Sequence, residues 1–263
     1  MTNQVDRPRA LITGASAGIG QGFAKELAKR GYDVVLVARR KDRLDQLAAD
    51  IAANGDATAD VLAADLAAED GVALVEQRLR SGDIDVLVNN AGFGTVGEFG
   101  DLPLDKELEE LDVNVRALMR LTHAALSSML PRKRGSIVNV ASTAAFQAIP
   151  YNATYAATKA FVLHFSEAVH EEAKPHGVTV TCVCPGPVKT EFQEVAGMGD
   201  VRIPAMAWDS VDTVVKTALS AMRSGRAIAI PGTLNTLSAV GTRMVPRFLT
   251  RRIAGSIFRD QGT

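Results

Sequence analysis

Seven short runs of β-branched and aliphatic residues recur along the chain, and most are followed by a longer Ala- and Leu-rich amphipathic stretch. The runs centre on residues 10–13, 34–38, 58–63, 86–89, 136–141, 179–183 and 227–230. The stretches beside them cover about 18–30, 41–53, 68–80, 104–130, 151–175 and 209–223. Strands this apolar are buried on both faces, and helices of this length suit the crossovers between parallel strands. The alternation predicts an α/β fold: one doubly wound parallel sheet of about seven strands with helices on both faces. At 263 residues and 47% hydrophobic content the chain can bury a full core as a single domain. No repeat or Pro/Ser-rich linker divides it.

Such sheets bind ligands at the carboxyl ends of their strands, near the point where strand order reverses. After the first run comes Thr13-Gly14-Ala15-Ser16-Ala17-Gly18-Ile19-Gly20. Glycines there let backbone N–H groups and a helix N-terminus approach a pyrophosphate, which makes Gly14, Ser16, Gly18, Ile19 and Gly20 candidate cofactor contacts. The spacing is G-x-x-x-G-x-G rather than the usual G-x-G-x-x-G, and a tight strand-to-helix turn would read the same way. The second run ends in Ala38-Arg39-Arg40, where an NAD site would carry an acid for the ribose hydroxyls. Guanidinium groups at Arg39, Arg40 or Arg43 suit a ribose 2′-phosphate instead, so the cofactor expected is NADP(H) in preference to NAD(H). Asp65 and Leu66 follow the third run, where a carboxylate can meet an adenine amino group or simply cap the next helix. Asn90, Ala91 and Gly92 follow the fourth, small enough for close approach to the middle of a cofactor and equally suited to a plain turn.

Tyr155 and Lys159 lie at i and i+4 in a predicted helix and share one face. A cation held near a phenol stabilises the phenolate, which predicts a lowered tyrosine pKa and an acid–base role.

Together these motifs resemble the short-chain dehydrogenase/reductase family, in order and across nearly the whole chain. The resemblance rests on Thr13-Gly14-x-x-x-Gly18-Ile19-Gly20, Asn89-Asn90-Ala91-Gly92, Asn114, Ser142, Tyr155-x-x-x-Lys159 and the segment from Pro185 to Thr190. It implies a Rossmann-type fold with substrate binding in the same domain: a cofactor-binding portion at about 8–145, a catalytic and substrate portion at 146–231, and an extension at 232–263. It also implies roles. Tyr155 exchanges a proton with the substrate oxygen as nicotinamide hydride moves, Lys159 tunes the tyrosine and binds the nicotinamide ribose, and Ser142 stabilises the substrate oxygen. Asn114 distorts its helix and holds a water leading from Lys159 to solvent. Pro185, Gly186, Val188 and Thr190 close over the nicotinamide, and 191–204, with Gly197 and Gly199, forms a mobile lid.

The start of the chain, the Ala-Arg-Arg turn and the tail resemble bacterial NADP-dependent ketoacyl-type reductases. The implied activity is reduction of a ketone on an apolar, acyl-like substrate, with steroid, sugar, quinone or xenobiotic carbonyls as alternatives. An NADP-sensing or scaffolding protein of the same fold is the non-enzyme alternative. Family resemblance further implies a homodimer or homotetramer, built through the helices at 104–130 and 151–175.

The 29 basic and 30 acidic residues give a net charge of −1, which offers no field for a polyanion, so no nucleic-acid partner is expected. Cys182 and Cys184 point to one face of a strand without disulfide geometry, and no Cys/His set has metal-ligand spacing, so no metal is expected. The polar first nine residues and the lack of a long apolar stretch point to a cytoplasmic protein. The tail remains distinctive. Arg243, Arg247 and Arg251 recur among Val240, Met244, Phe248, Leu249 and Ile253, and Pro246 should divide the segment into two short helices. Such a basic amphipathic element suits a membrane surface, a cap over a long acyl substrate, or packing against its own domain or a twin subunit.

Overall fold

A computed structural model of the chain describes residues 7–197 and 208–258. The strands are β1 (Arg9–Thr13), β2 (Asp33–Ala38), β3 (Ala59–Ala63), β4 (Ile84–Asn89), β5 (Gly135–Val140), β6 (Val178–Val183) and β7 (Ile228–Ala229). They form one sheet in the order β3-β2-β1-β4-β5-β6-β7, every neighbour parallel. The order reverses between β1 and β4, which opens a crevice at their carboxyl ends. β7 is shorter than its sequence pattern suggests, pairing only with Cys182 and Val183 of β6.

The helices of the first half are α1 (Gly18–Lys29), α2 (Lys41–Ala53), α3 (Glu69–Arg80) and α4 (Leu104–Leu111). After α4 come α5 (Leu118–Arg132), α6 (Ala153–Ala173), α7 (Phe192–Val195), α8 (Val211–Arg223), α9 (Thr233–Met244) and α10 (Arg247–Phe258). Side chains alternate across the sheet as period-two geometry requires. In β1, Ala10 and Ile12 join Phe23, Leu27, Leu44 and Leu219 on one face, while Leu11 joins Val75, Leu79, Leu121 and Met129 on the other. Both layers are sealed, so truncating Leu11 to Ala would cost about 2–5 kcal/mol.

Two irregularities position the site. Between α4 and α5 the chain runs as a π-helix over Asp112–Ala117, which places Asn114 in the distortion expected of it. Before α6, Tyr151 adopts φ +65°, and its carbonyl accepts from Gly97 N at 2.8 Å, tying the loop after β4 to the start of α6. Pro246 separates α9 from α10 as expected. Cys182 and Cys184 are buried free thiols with sulfurs 3.8 Å apart, and hydrogen bonding between them together with burial raises the Cys184 pKa. Among the described residues, no group of His, Cys, Asp or Glu could hold a metal ion. Nor is any described helix long and apolar enough to cross a membrane.

Candidate active site

The carboxyl ends of β1 and β4 are stitched together by short polar bonds. Thr13 Oγ1 accepts from the amides of Asn90 and Ala91 at 2.9 and 3.0 Å, and Asn90 Nδ2 donates to the carbonyls of Thr13 and Gly14. Gly20 lies against this knot: a Cβ there would fall 2.2 Å from Gly14 O and 2.5 Å from Asn90 Nδ2. Gly14 itself has φ +65°, which favours glycine. The two adjacent asparagines divide their work. Asn90 lines the crevice, whereas Asn89 turns into the core and donates to Thr122 and Asn139 at 3.1 and 3.0 Å.

α1 starts from Ala17, which supplies no side-chain cap, unlike Ser210 at the start of α8. The first-turn amides of α1 therefore keep donor capacity for an anion, and the positive end of the helix dipole favours one. Arg39 and Arg40 stand beside this turn and line the same crevice, which Arg43 does not. Arg40 donates to Ser16 Oγ at 3.1 and 3.3 Å and to Glu191 at 2.8 Å, and Arg43 also pairs with Glu191. Those two arginines hold the Glu191 carboxyl below its ordinary pKa. Arg39 is the more open cation, with Glu109 and Asp65 at 3.5 and 4.0 Å. Asp65 also accepts from Ala67 N at 3.0 Å, a turn in the loop ahead of α3, whose N-cap is Ala68, so Asp65 is not the helix cap that was the alternative to adenine recognition.

From these arginines a cavity of about 520 Å³ runs past Asp65, Leu66, Ala91 and Gly92 to Ser142, Tyr155 and Lys159. Its length and donor set fit a dinucleotide: open amides and guanidinium groups at one end, small residues in the middle, titratable side chains at the other. Gly92 keeps open the place where two candidate catalytic groups converge, since a Cβ there would lie 2.8 Å from Asn114 Oδ1 and 3.3 Å from Lys159 Nζ. Ser142 Oγ caps the short helix Thr143–Phe146 by accepting from Ala144 N at 3.1 Å. Asn114 donates to Phe93 O and Thr158 Oγ1 at 2.8 and 3.1 Å and accepts from Phe93 N at 3.1 Å. The π-turn thus locks the amide to the loop after β4 and to α6.

The electrostatics of Tyr155 differ from the sequence expectation. Burial pushes its phenol up to about 12, against a hydrogen bond from Ser142 that works in the opposite direction. Burial also draws Lys159 down to about 8. Lys159 Nζ lies 5.5 Å from the Tyr155 ring centroid and donates to Val140 O at 3.0 Å, so its bond serves the backbone. Desolvation sets the direction for this phenol, and the group that opposes it is Ser142. At neutral pH Tyr155 is a protonated donor beside a Lys159 that still favours its ammonium form.

Sequence reasoning missed a pair of buried carboxylates behind this centre. Glu110 is fully buried and Glu107 nearly so. Thr95 Oγ1 lies 2.5 Å from Glu107 and 3.1 Å from Glu110, within reach of either carboxylate for its one proton, and Thr154 also donates to Glu107. Burial raises Glu110 to about 7; repulsion from Glu107 adds to this, while Thr95 and Lys159 oppose it. The only sequence signal was an acid one helical turn before Asn114.

The segment from Pro185 to Thr190 lies over the crevice and is fastened from outside. Asp209 Oδ2 accepts from Gly186 N at 3.2 Å and from Asn235 Nδ2 at 2.9 Å, and Gln193 bonds the backbone of both Val188 and Thr190. Phe192 then stacks obliquely on Tyr155, ring centroids 5.4 Å apart, and Trp208 forms further wall. The predicted lid is described only to Gly197, so Gly199 and the rest of 198–204 lie outside the described residues. A second recess of about 500 Å³, lined by Arg134, Gly135 and Gly177, sits at the amino ends of β5 and β6, away from these groups.

Residues 8–199 match the family model for short chain dehydrogenase. The chain is 34% identical over 252 residues to a very-long-chain 3-oxoacyl-CoA reductase of Bos taurus, covering 93% of this chain and 78% of that one. Among solved structures, a short-chain dehydrogenase from Sphingobium yanoikuyae in complex with NADPH matches with a TM-score of 0.83 and 37% identity, over 90% of this chain and 94% of the other. A bulky-bulky ketone specific alcohol dehydrogenase from Comamonas testosteroni matches with a TM-score of 0.79 and 33% identity, over 91% and 93%.

Proposed function

This chain belongs to the short-chain dehydrogenase/reductase family, a family of oxidoreductases, and from that membership we propose that it reduces the ketone of an apolar, acyl-type substrate with NADPH. The observation that carries the reading is the convergence of Ser142, Tyr155 and Lys159, with Asn114 behind Gly92, at one end of a cavity whose other end holds Arg39 and Arg40. When bound, the nicotinamide would supply the hydride. Gly14 to Gly20 and the open amides of α1 would hold the pyrophosphate, Arg39 and Arg40 the 2′-phosphate, and Val188 and Thr190 the carboxamide end.

The chain's own residues handle the oxygen and the proton. Ser142 and Tyr155 donate hydrogen bonds to the substrate oxygen, which favours the negative charge that develops there during reduction. The Tyr155 hydroxyl then gives up its proton, a step that its buried, protonated state prepares. The Lys159 ammonium stabilises the phenolate left behind. Phe192 and Trp208 keep water from the reacting face.

The names of relatives support a bulky ketone: the similar proteins include a very-long-chain 3-oxoacyl-CoA reductase and an enzyme specific for bulky-bulky ketones. We place assembly on α4 to α6, where Leu104, Leu108, Leu111, Met119 and Phe161 are exposed, and light scattering should return a dimer or tetramer. The function is tested with long-chain 3-oxoacyl thioesters, steroids and quinones, each with NADPH and with NADH. Turnover of the acyl substrates with NADPH is expected. A well-folded protein that reduces none of them would favour the cofactor-sensing alternative.

A further inference from the structure

The two helices after β7 are amphipathic the wrong way round for a core element. Their inward faces are small or polar: Asn235 and Ala239 of α9, Ala254 and Gly255 of α10. Gly255 fits so closely that a Cβ would lie 3.1 Å from Pro150 Cγ. Among the described side chains the large apolar ones face outward instead, with Leu237 69% and Ile253 63% exposed and Leu234, Phe248 and Leu249 at 40% or more. Burial in the domain therefore cannot explain them, and a surface of this size among described residues calls for a covering partner.

Charge says which partner. Residues 233–258 contain four arginines, Arg243, Arg247, Arg251 and Arg252, and no acidic residue. Arg251 and Arg252 are exposed on the same short helix as Phe248 and Ile253. A second copy docked on this face about a twofold axis would set cation against cation with no acid of 233–258 to pair them. An anionic, apolar-backed surface satisfies both features at once. Each helix has 12 residues, far short of the ~20 needed to span a bilayer, so the pair suits the interface plane.

We propose that α9 and α10 form a docking face for the surface of an anionic lipid bilayer. α9 also carries Ser238 and Ala239 on the cavity wall, so docking sets the bilayer beside the cavity rather than across the molecule from it. The inference concerns the surface alone and stands whether or not the reductase reading holds.

Co-sedimentation of the full chain with vesicles of phosphatidylcholine, with and without phosphatidylglycerol, tests it without any turnover assay. Binding is expected only with phosphatidylglycerol, weakening as salt screens the arginines. Reversing both charges in Arg251→Glu/Arg252→Glu should lower the partition at least about tenfold, and Ile253→Glu should weaken it through the apolar side. Variants are compared only where their melting temperatures match the parent, and the salt series on the unaltered protein serves where they do not. Equal partition onto both vesicle types, or none, overturns the proposal. So does loss of a homodimer in Ile253→Glu without vesicle binding in the parent, which would assign the face to a second copy.

Discussion

Replacing Glu110 with Gln should make the protein more stable at alkaline pH and leave it nearly unchanged at acid pH. Glu110 is fully buried, beside Glu107, and its pKa rises from 4.5 to about 7 because burial penalises the charged form. A folded value above the unfolded one means that the native state holds the proton more tightly. The stability this contributes is complete below about 4.5 and is lost as pH rises through about 7. The gap corresponds to about 3 kcal/mol between the two limits. Gln carries no charge at any pH and keeps an acceptor for Thr95 Oγ1, so it escapes the loss. For a chain of this length about 3 kcal/mol is roughly 5 °C in Tm. Thermal melts of parent and Glu110→Gln at about pH 4 and about pH 8 should nearly coincide at the first and separate by that amount at the second. Parallel behaviour across the range, or a variant less stable at the higher pH, would refute the idea that a buried, reluctant carboxylate sits behind Lys159.

Arg39→Asp should lower the preference for NADPH over NADH by about tenfold or more, the worth of one charge-assisted contact. An unchanged ratio in competitive binding would move the 2′-phosphate to Arg40, already seated on Ser16. Reduction should also lose rate as pH rises through about 8, where Lys159 gives up its proton and its hold on the phenolate. A flat kcat/KM profile to about pH 10 would remove that charge from the proton transfer.

Period-two strands and 3.6-residue helices were visible because each helix buries one stripe and each strand two faces. The division at Pro246 followed from residue chemistry, and the local break at Asn114 from the family resemblance. Burial of individual polar groups did not follow. Leu104-Asp105-Lys106-Glu107-Leu108-Glu109-Glu110-Leu111 reads as a solvated, acid-rich helix, yet Glu107 and Glu110 turn inward to Thr95 while Leu104 and Leu108 face out. Only the packing of α4 against α6 and the loop after β4 decides which side is wet. The same gap explains Tyr155: spacing reveals a nearby cation but not the desolvation that raises the phenol. Asp209 and Asn235, which fasten the segment over the crevice, are remote from it in sequence and carry no motif.

The account stands most directly on the proton of Tyr155. In single-turnover mixing of an acyl ketone with NADPH-loaded protein, Tyr155→Phe should slow hydride transfer by about 10²–10⁴-fold, the usual worth of a positioned general acid. NADPH binding, followed by nucleotide fluorescence, should stay close to that of the parent. Hydride transfer at the parent's rate in a folded Tyr155→Phe protein would contradict the proposed chemistry at its centre.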